Sequence, residues 1–388
     1  MKQLVRIAFI FTLLISCKTE EKPTIDQISI ASKHTINSTI LNEERTLFIS
    51  LPDGYEKSND TYPVLILTDG KQNIKHVTGS IELLTRTGRI PPIIVVGIES
   101  KNRSKDFSPS KLENRPETGN APKFLDFIEN EVFPYVDSNF RTHPFRILQG
   151  HSLGGLFTAF ALMEKPDLFD AHIILSPSFW WNQEEFINKS GKFFRENQHL
   201  NKAIYFSIGK DESSEKWGMR KELSKFVDSL NMNKPKNIRY QHNELDNEGH
   251  MSSPLLGTYH GLRFIFSDMF LTKEQITNYT NEAFLSHEEK IMSTYGSQAK
   301  QSAEMYVYIA NFLSSNKNYK GAITVLKRSV EAYDYDLYLK ISLAKAYENN
   351  QQIDEAIEVL KDGIETSKKY QFSQEERFQK EIERLQNK

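Results

Sequence analysis

The fold of this chain is decided by the stretch Ile147-Leu148-Gln149-Gly150-His151-Ser152-Leu153-Gly154-Gly155, which contains the pattern G-x-S-x-G. An apolar segment precedes the pattern, and a small, apolar segment with helical spacing follows it. This context predicts a buried strand that turns sharply into a helix at Ser152. Side chains at Gly150 and Gly154 would collide with the neighbouring strand and helix. We therefore predict that Ser152 is a nucleophile, and the alternative is a structural glycine-rich turn.

The same turn predicts part of an oxyanion hole. The backbone N–H of Leu153 would lie at a helix N-terminus, where developing negative charge is stabilised. A second N–H is expected from the loop after the buried strand 63–68, because the corresponding loop supplies it in enzymes that carry the G-x-S-x-G turn between a strand and a helix. The backbone near Gly70 and Lys71 is the candidate donor. The alternative is a plain turn, since Asp69-Gly70 is a common turn pair.

Buried strands alternate with helical segments on both sides of the serine. Apolar and β-branched runs bounded by polar or glycine-rich turns occupy residues 46–51, 63–68, 90–98, 146–149, 171–178, 203–209 and 238–245. Helical spacing covers residues 124–139. The alternation predicts an α/β fold with a mostly parallel sheet flanked by helices.

Two later turns carry residues that could complete a catalytic triad with Ser152. The strand that ends at Gly209 runs into Lys210-Asp211-Glu212, and Glu212 is the preferred acid because it reaches further over the turn. Asp211 is the alternative acid, and a plain surface pair is the third possibility. His250, in the turn after the last strand, is the preferred base, whereas His151 is expected to point away from Ser152. The order serine, acid, histidine matches the α/β-hydrolase arrangement.

With these residues in place, residues 42–270 resemble the putative esterase family of α/β-hydrolases, which includes enterochelin, feruloyl and acetyl-xylan esterases. The resemblance is carried by Arg45-Thr46-Leu47, Leu51-Pro52-Asp53-Gly54-Tyr55, Asn102-Arg103 with Asp106 and Pro109, Gly150-His151-Ser152-Leu153-Gly154-Gly155, Ser176-Pro177-Ser178-Phe179-Trp180-Trp181 and Gly249-His250. It implies ester hydrolysis by Ser152 and His250 through an acyl-enzyme. This chemistry needs neither a metal nor an organic cofactor.

Three residues are candidates for substrate binding. Trp180 and Trp181 follow a strand at the edge where substrate should lie, and could stack on an aryl ring or a sugar. Burial as a lid over the core is the alternative. Arg103 could bind a carboxylate or catechol oxygen, and the alternative is a solvated arginine. Siderophore, feruloyl and acetylated-glycan esters would all fit a pocket with aromatic side chains at its edge. The sequence therefore does not identify the substrate.

The N-terminus predicts export and a lipid anchor. Lys2 and Arg6 precede the apolar run 7–15, which suits a signal peptide and is too short to span a bilayer. The sequence Leu14-Ile15-Ser16-Cys17 at the end of this run resembles the bacterial lipoprotein cleavage box, and Cys17 is the only cysteine of the chain. We predict a signal peptide over residues 1–17, lipidation of Cys17 in the cell envelope (periplasm or outer membrane), and a tether over residues 18–37. The alternative is an ordinary signal peptide with an incidental cysteine.

The chain of 388 residues suggests two domains. We predict a hydrolase domain over residues 38–271 and a helical region over residues 272–388. In the second region Ala310, Ala322 and Leu326 recur at one constant spacing as Ala344, Ala356 and Leu360. This period resembles that of the tetratricopeptide repeat. Two repeats are fewer than the three or so of a free-standing array. We expect a preceding helix over residues 272–296, a polar capping helix over residues 373–387 and the hydrolase surface to complete their core.

Composition excludes some partners and leaves two other functions open. With 49 basic and 51 acidic residues and a net charge of −2, the chain has no charge excess that favours nucleic acid or an anionic membrane surface. The repeats could bind a protein partner or serve as a structural appendage. A catalytically inactive hydrolase fold that acts as a scaffold is one alternative function. An acyltransferase that uses the same triad is the other.

Overall fold

The computed structural model describes residues 28–57, 59–212, 219–296 and 299–387. The predicted signal peptide, Cys17 and the first part of the predicted tether lie outside these residues. Within the described ranges, no helix combines the length and the apolar character needed to cross a membrane.

The centre of the molecule is one eight-stranded sheet with the order β1-β2-β4-β3-β5-β6-β7-β8. The strands are β1 (Ser32–Ser38), β2 (Glu43–Ser50), β3 (Tyr62–Leu67), β4 (Ile94–Ile98), β5 (Thr142–His151), β6 (Ala171–Leu175), β7 (Ala203–Gly209) and β8 (Arg239–Leu245). β1 and β2 are antiparallel to their neighbours, and β3 to β8 run parallel. The predicted mostly parallel sheet is confirmed.

Helices cover both faces of the sheet. They are α1 (Gly70–Arg86), α2 (Arg103–Phe107), α3 (Ala121–Phe127), a π-helix (Ile128–Val132), α4 (Phe133–Asn139), α5 (Leu153–Glu164), α6 (Trp181–Glu196), α7 (Met219–Asn233) and α8 (Ser253–Ile265), with 3₁₀ turns at Tyr55–Lys57 and Ser267–Met269. Alternate residues of β3 enter different cores: Val64 packs with the side of α3 to α7, and Leu65 packs with the side of α1 and α8. Burial on both faces explains why the strands read as continuous apolar runs.

β1 corrects the predicted tether. The tether was expected to reach residue 37, with the folded domain starting at residue 38, but β1 already pairs with β2 from Ser32 to Ser38. Most of its side chains are partly or fully exposed, so its sequence lacks an apolar face. Backbone pairing along the edge of the sheet makes this segment a strand, and on one face of it His34 and Ile36 are partly buried.

The C-terminal region is all-helical and has its own core. It contains α9 (Lys273–Thr277), α10 (Asn281–Tyr295), α11 (Ala303–Ser315), α12 (Tyr319–Ala332), α13 (Leu337–Asn349), α14 (Ile353–Tyr370) and α15 (Glu375–Gln386). The offset from the start of α11 to that of α13 (303 to 337) equals the offset from α12 to α14 (319 to 353). The recurring alanines and leucines are buried between these helices. The period found in the sequence is therefore a structural period of helix pairs.

The expected boundary at residue 271 is too early for the hydrolase core. Ile291, Tyr295 and Ala299 belong to the core cluster on the α1 and α8 side of the sheet. The Tyr295 ring lies 4.9 Å from the ring of Phe145 on β5 and 4.9 Å from that of Phe266. α10 thus closes one end of the hydrolase core, which a change of composition along the chain does not reveal.

Candidate active site

Ser152 occupies a strained turn between β5 and α5. Its backbone has φ 60° and ψ −118°, a conformation that side-chain-bearing residues adopt only when the surroundings impose it. A Cβ atom on Gly150 would lie 2.1 Å from the carbonyl oxygen of Gly154. A Cβ atom on Gly154 would lie 2.4 Å from Oγ1 of Thr68. The two glycines are therefore required by the close approach predicted from the pattern.

The backbone of Ser152 is held on both sides by the last residue of β6 and the loop after it. Its N–H donates to the carbonyl of Leu175 at 2.9 Å, and its own carbonyl accepts the N–H of Ser178 at 3.1 Å. Its Oγ lies 3.3 Å from Oγ of the buried Ser178. Among the described residues no hydrogen bond joins Ser152 to His250. Proton transfer therefore requires a movement of one or both side chains, since catalytic hydrogen bonds are often long or poorly aligned in ligand-free hydrolases.

Glu212 and His250 form the acid and base pair. Oε2 of Glu212 lies 2.9 Å from Nδ1 of His250. The other carboxylate oxygen accepts the N–H of Gly209 at 2.9 Å and the hydroxyl of Ser176 at 2.5 Å. Glu212 is buried, whereas the side chain of Asp211 is exposed. Glu212, rather than Asp211, is therefore the acid that contacts the histidine.

The hydrogen bonds keep Glu212 ionised. Burial alone would raise the pKa of this carboxyl, but hydrogen bonds from His250, Ser176 and Gly209 outweigh burial and lower the pKa below its usual range. A carboxylate that accepts Nδ1–H leaves Nε2 of His250 free to accept a proton. This is the tautomer that a general base requires.

His151 lies against His250. The two ring centroids are 4.5 Å apart, and the His151 side chain is only 6% exposed. Burial, followed by the nearby His250, lowers the pKa of His151 to about 3, so this ring is neutral at ordinary pH. The sequence indicated that His151 points away from Ser152, but it gave no signal for this contact between residues that are distant along the chain.

The predicted oxyanion donors lie at the same edge of the sheet. Leu153 is the first residue of α5, and Gly70 and Lys71 are the first two residues of α1. Amide groups in a first helical turn have no partner within the helix, so they can donate to an anion. The loop after β3 is held beside the end of β5, which carries Ser152. Thr68 N–H in this loop donates to the carbonyl of Gln149 on β5 at 3.0 Å.

Arg103 is paired rather than freely solvated. Its Nε donates to both carboxylate oxygens of Asp69 at 2.9 and 3.0 Å, and its Nη2 donates to the carbonyl of His151 at 3.3 Å. Burial raises the pKa of Asp69, although Arg103 opposes this shift. Arg103 therefore lies at the catalytic edge, partly exposed and anchored to it.

The two tryptophans, Trp180 and Trp181, differ in how deeply they are buried. Trp181 is 2% exposed and belongs to the hydrophobic core, with the guanidinium of Arg115 at 5.9 Å from its ring centroid. The expectation that Trp181 offers an exposed face to substrate is therefore wrong. A turn in which Trp181 N–H donates to the carbonyl of Ser178 at 3.1 Å leads into α6, and this ring lies in the core at the start of that helix. Trp180 is half-buried and packs against the same core.

Sequence reasoning missed the serines that support the triad. Ser176 donates to Glu212, and Ser253 Oγ lies 3.5 Å from the same carboxylate oxygen. Ser178 contacts the nucleophile. The polar Ser176-Pro177-Ser178 after a buried strand was an available signal, because such strand ends face the catalytic edge. In the part of the chain that the structure describes, no group of three or more His, Cys, Asp or Glu side chains is arranged to hold a metal ion.

The strand order, the strained serine and the acid-histidine pair at one edge of the sheet define an α/β-hydrolase. The sequence model of the putative esterase family matches residues 38–320, which is more than half of the chain. The chain belongs to this family, and it is an ester hydrolase by class.

Named relatives agree with this assignment. The ferri-bacillibactin esterase BesA of Bacillus subtilis is 32% identical over 250 residues, which cover 58% of this chain and 86% of that protein. An IroE-like serine hydrolase from Shewanella oneidensis has a similar fold, with a TM-score of 0.66 and 24% identity over 78% of this chain and 99% of that one.

A second similar structure extends into the helical region. It is an uncharacterised protein from Capnocytophaga ochracea, with a TM-score of 0.65 and 14% identity, covering 92% of this chain and 100% of that one. At this identity the likeness concerns the fold alone. The similarity covers more of this chain than the hydrolase sheet and its flanking helices occupy. The helical C-terminal region is therefore part of the architecture that the two proteins share.

Proposed function

We propose that this chain is a serine carboxylesterase, exported and lipid-anchored, that cleaves its substrate through an acyl-enzyme on Ser152. The observation that carries the proposal is the 2.9 Å contact between Glu212 and His250 at the edge where the strained Ser152 stands. An inactive scaffold has no need for an ionised, buried carboxylate that holds one histidine tautomer.

The mechanism follows from the geometry. Neutral His250 takes the proton of Ser152 at Nε2 while Oγ attacks the ester carbonyl carbon. The oxyanion that forms accepts hydrogen bonds from the amides of Leu153 and of Gly70 or Lys71. As the intermediate collapses, His250 returns the proton to the departing alcohol, and Ser152 keeps the acyl group. Water, deprotonated by His250, then releases the acid and restores the serine.

For the substrate we propose a small-molecule ester of the siderophore class. The support is a relative, the bacillibactin esterase of Bacillus subtilis, of which this chain covers 86%. The partly exposed guanidinium of Arg103 could contact an anionic oxygen of such a substrate. Feruloyl esters and acetylated glycans are the competing substrates. A panel of trilactone, aryl and acetyl esters decides among them by kcat/KM, and transfer to an added alcohol in place of water would indicate an acyltransferase.

The serine mechanism is tested by a fluorophosphonate probe and by rates. We expect labelling of the folded wild type and none of Ser152→Ala. Ser152→Ala and His250→Ala should each lower kcat by about 10⁴ to 10⁶, and the double variant should be hardly slower, because the two residues act as one unit. Folded variants that hydrolyse esters at the wild-type rate would contradict the mechanism. A folded wild type that is neither labelled nor able to hydrolyse any ester would favour the inactive scaffold.

The proposed location rests on the sequence from Met1 to Cys17. Several acyl chains on Cys17 would hold the protein at a membrane without a spanning helix. Mass spectrometry of the mature protein should find an acylated Cys17 at the N-terminus. A mature chain that starts elsewhere, or an intact Met1, would refute the anchor and leave the esterase proposal untouched.

A further inference from the structure

Two histidine rings meet at the centre of the site, and the mechanism uses one of them. His151 is the last residue of β5, and its ring centroid lies 4.5 Å from that of His250 with 42° between the ring planes. Its Nε2 is buried and has no hydrogen-bond partner among the described residues. A buried polar ring that forms so few hydrogen bonds is costly. Two interactions with His250 offset this cost, namely the ring packing and a hydrogen bond between the His151 side chain and the His250 backbone.

His250 needs support that Glu212 does not provide. It lies in the turn between β8 and α8, and its side chain is 31% exposed. The hydrogen bond to Glu212 fixes Nδ1 but allows the ring to rotate about that contact. Because Ser152 is not hydrogen-bonded to His250 in the resting structure, such rotation decides whether Nε2 reaches the serine. A misplacement of about 1 Å can cost about a hundredfold in rate.

His151 is well placed to limit this rotation. It is joined to Ser152 by one peptide bond, and the backbone at that point is held by Ser152 N–H donating to Leu175 and by Arg103 donating to the His151 carbonyl. A ring mounted on this backbone keeps a constant position relative to the nucleophile. Because the His151 ring packs on His250, it holds the base at a constant position relative to Ser152.

The charge state of His151 suits the same task. The charged and titratable groups that face it are His250, Glu212 and Arg103, and Arg103 is paired with Asp69. Burial, His250 and Arg103 lower the pKa of His151, and Glu212 opposes them without reversing the shift. The ring stays neutral when His250 takes the serine proton. A cation at this place would repel the imidazolium that forms in the transition state.

We propose that His151 is a positioning residue that packs on the ring of His250 and holds Nε2 in line with Ser152. The proposal rests on the serine mechanism proposed above. It assigns His151 no proton transfer, so a neutral flat ring should replace it better than a small side chain.

The test compares His151→Ala and His151→Phe in the full chain, with kcat and KM measured on the best ester of the panel. We expect His151→Ala to lower kcat by about 10 to 100-fold with KM changed by less than about twofold, because chemistry and not binding is impaired. His151→Phe should recover at least about fivefold of that loss.

His172→Ala is the matched control. His172 is also buried (0% exposed), and burial also lowers its pKa to about 3, but it lies on β6 against Phe169, with no contact to His250 described. Its variant should lose stability and keep kcat per folded molecule. Equal losses of kcat in His172→Ala and His151→Ala would show that His151 acts only through the packing of the core, and this would overturn the proposal.

Two further outcomes also overturn it. One is a folded His151→Ala with the wild-type kcat, and the other is a His151→Phe that is no faster than His151→Ala. If His151→Ala does not fold, His151→Gln replaces it as the non-ring variant in the same comparison with His151→Phe. Ser152→Ala and His250→Ala run in parallel. Wild-type rates in those two variants would show that the serine mechanism itself has failed, whereas their inactivity leaves the His151 comparison decisive.

Discussion

At the scale of single residues, the site depends on polar side chains that hydrogen-bond to one another. Glu212 accepts hydrogen bonds from His250, Ser176 and Gly209, so the cost of burying its charge is offset by three donors. Arg103 and Asp69 satisfy each other at the same edge. Removing one member of such a set leaves its partners unsatisfied, so single substitutions should have large and local effects.

The first prediction concerns the acid. Glu212→Ala should lower kcat by about 10³ to 10⁴-fold, because the histidine loses the group that fixes its tautomer and stabilises its cation. Asp211→Ala is the matched control. Asp211 is exposed one residue away and should change kcat by less than about threefold. Steady-state rates, with circular dichroism to confirm folding, make the comparison. A larger loss in Asp211→Ala would reverse the assignment.

The second prediction concerns pH and His172. Burial lowers the pKa of His172 from 6.5 in the unfolded chain to about 3 in the folded protein. Between these two pH values His172 is protonated in the unfolded chain and neutral in the folded protein. Stability is therefore intact above pH 6.5 and falls as the pH drops. At pH 5 the loss due to this residue is about 2 kcal/mol. His172→Phe should reduce the difference in free energy of unfolding between pH 7 and pH 5 by about that amount.

Urea unfolding at each pH supplies the measurement. The internal control is the interval from pH 8 to pH 9, where the histidine is neutral in both states. Wild type and His172→Phe should show the same change in stability over that interval. An unaltered difference between pH 7 and pH 5 in the variant would mean that His172 is protonated in the folded protein.

At the scale of elements, the turn from β5 into α5 combines strain with tight packing. Ser152 has a positive φ, and Gly150 and Gly154 permit the close approach of α5 and of the loop after β3. Backbone hydrogen bonds of Ser152 with Leu175 at the end of β6 and with Ser178 in the loop after it stabilise this strained conformation. Rigid surroundings of this kind keep a nucleophile exposed in one orientation.

The third prediction tests this packing. Gly150→Ala places a Cβ atom 2.1 Å from the backbone oxygen of Gly154, so backbone must move, and the variant should lose at least about 1–3 kcal/mol of stability together with most activity. Gly79→Ala is the control. Gly79 lies inside α1 with no atom within 4 Å of an added Cβ, and the same substitution there should be neutral or stabilise by up to about 1 kcal/mol. Thermal unfolding separates the two, and equal melting temperatures would contradict the account.

At the scale of the whole molecule, the helical region and the hydrolase share a core. Tyr295 on α10 packs between Phe145 and Phe266, and its hydroxyl donates to Asp268 at 2.6 Å. The repeats α11 to α14 follow directly and build their own core. Two repeats that are too few to stand alone thus begin from a helix that is anchored in the hydrolase.

The fourth prediction tests this shared core. Tyr295→Ala should destabilise the protein by about 3–5 kcal/mol, because a large buried ring is removed from between two others. Tyr308→Ala is the matched control, since Tyr308 lies on α11 and is 57% exposed, and it should change stability by less than about 0.5 kcal/mol. Chemical unfolding provides both values. A small effect of Tyr295→Ala would show that the hydrolase core is complete without α10.

The sequence alone determined the parts of this protein that depend on neighbours along the chain. Apolar runs, turn residues and the G-x-S-x-G pattern are local, so they predicted the strands, the strained serine and the mostly parallel sheet. The order of serine, acid and histidine predicted Glu212 and His250, because strand ends in such a sheet meet at one edge. The constant spacing of small and apolar residues in the C-terminal region predicted the helix pairs for the same reason, since periodic burial is visible in sequence.

The tertiary structure decided what depends on contacts between distant residues. Neither the His151 contact with His250 nor Tyr295 in the hydrolase core has a local signature. β1 is a strand because an edge was available to pair with, although its side chains lack an apolar face. Trp181 is buried because the turn before α6 directs it inward. Side-chain direction after a turn and long-range pairing are set by packing, which a pattern of residue types does not specify.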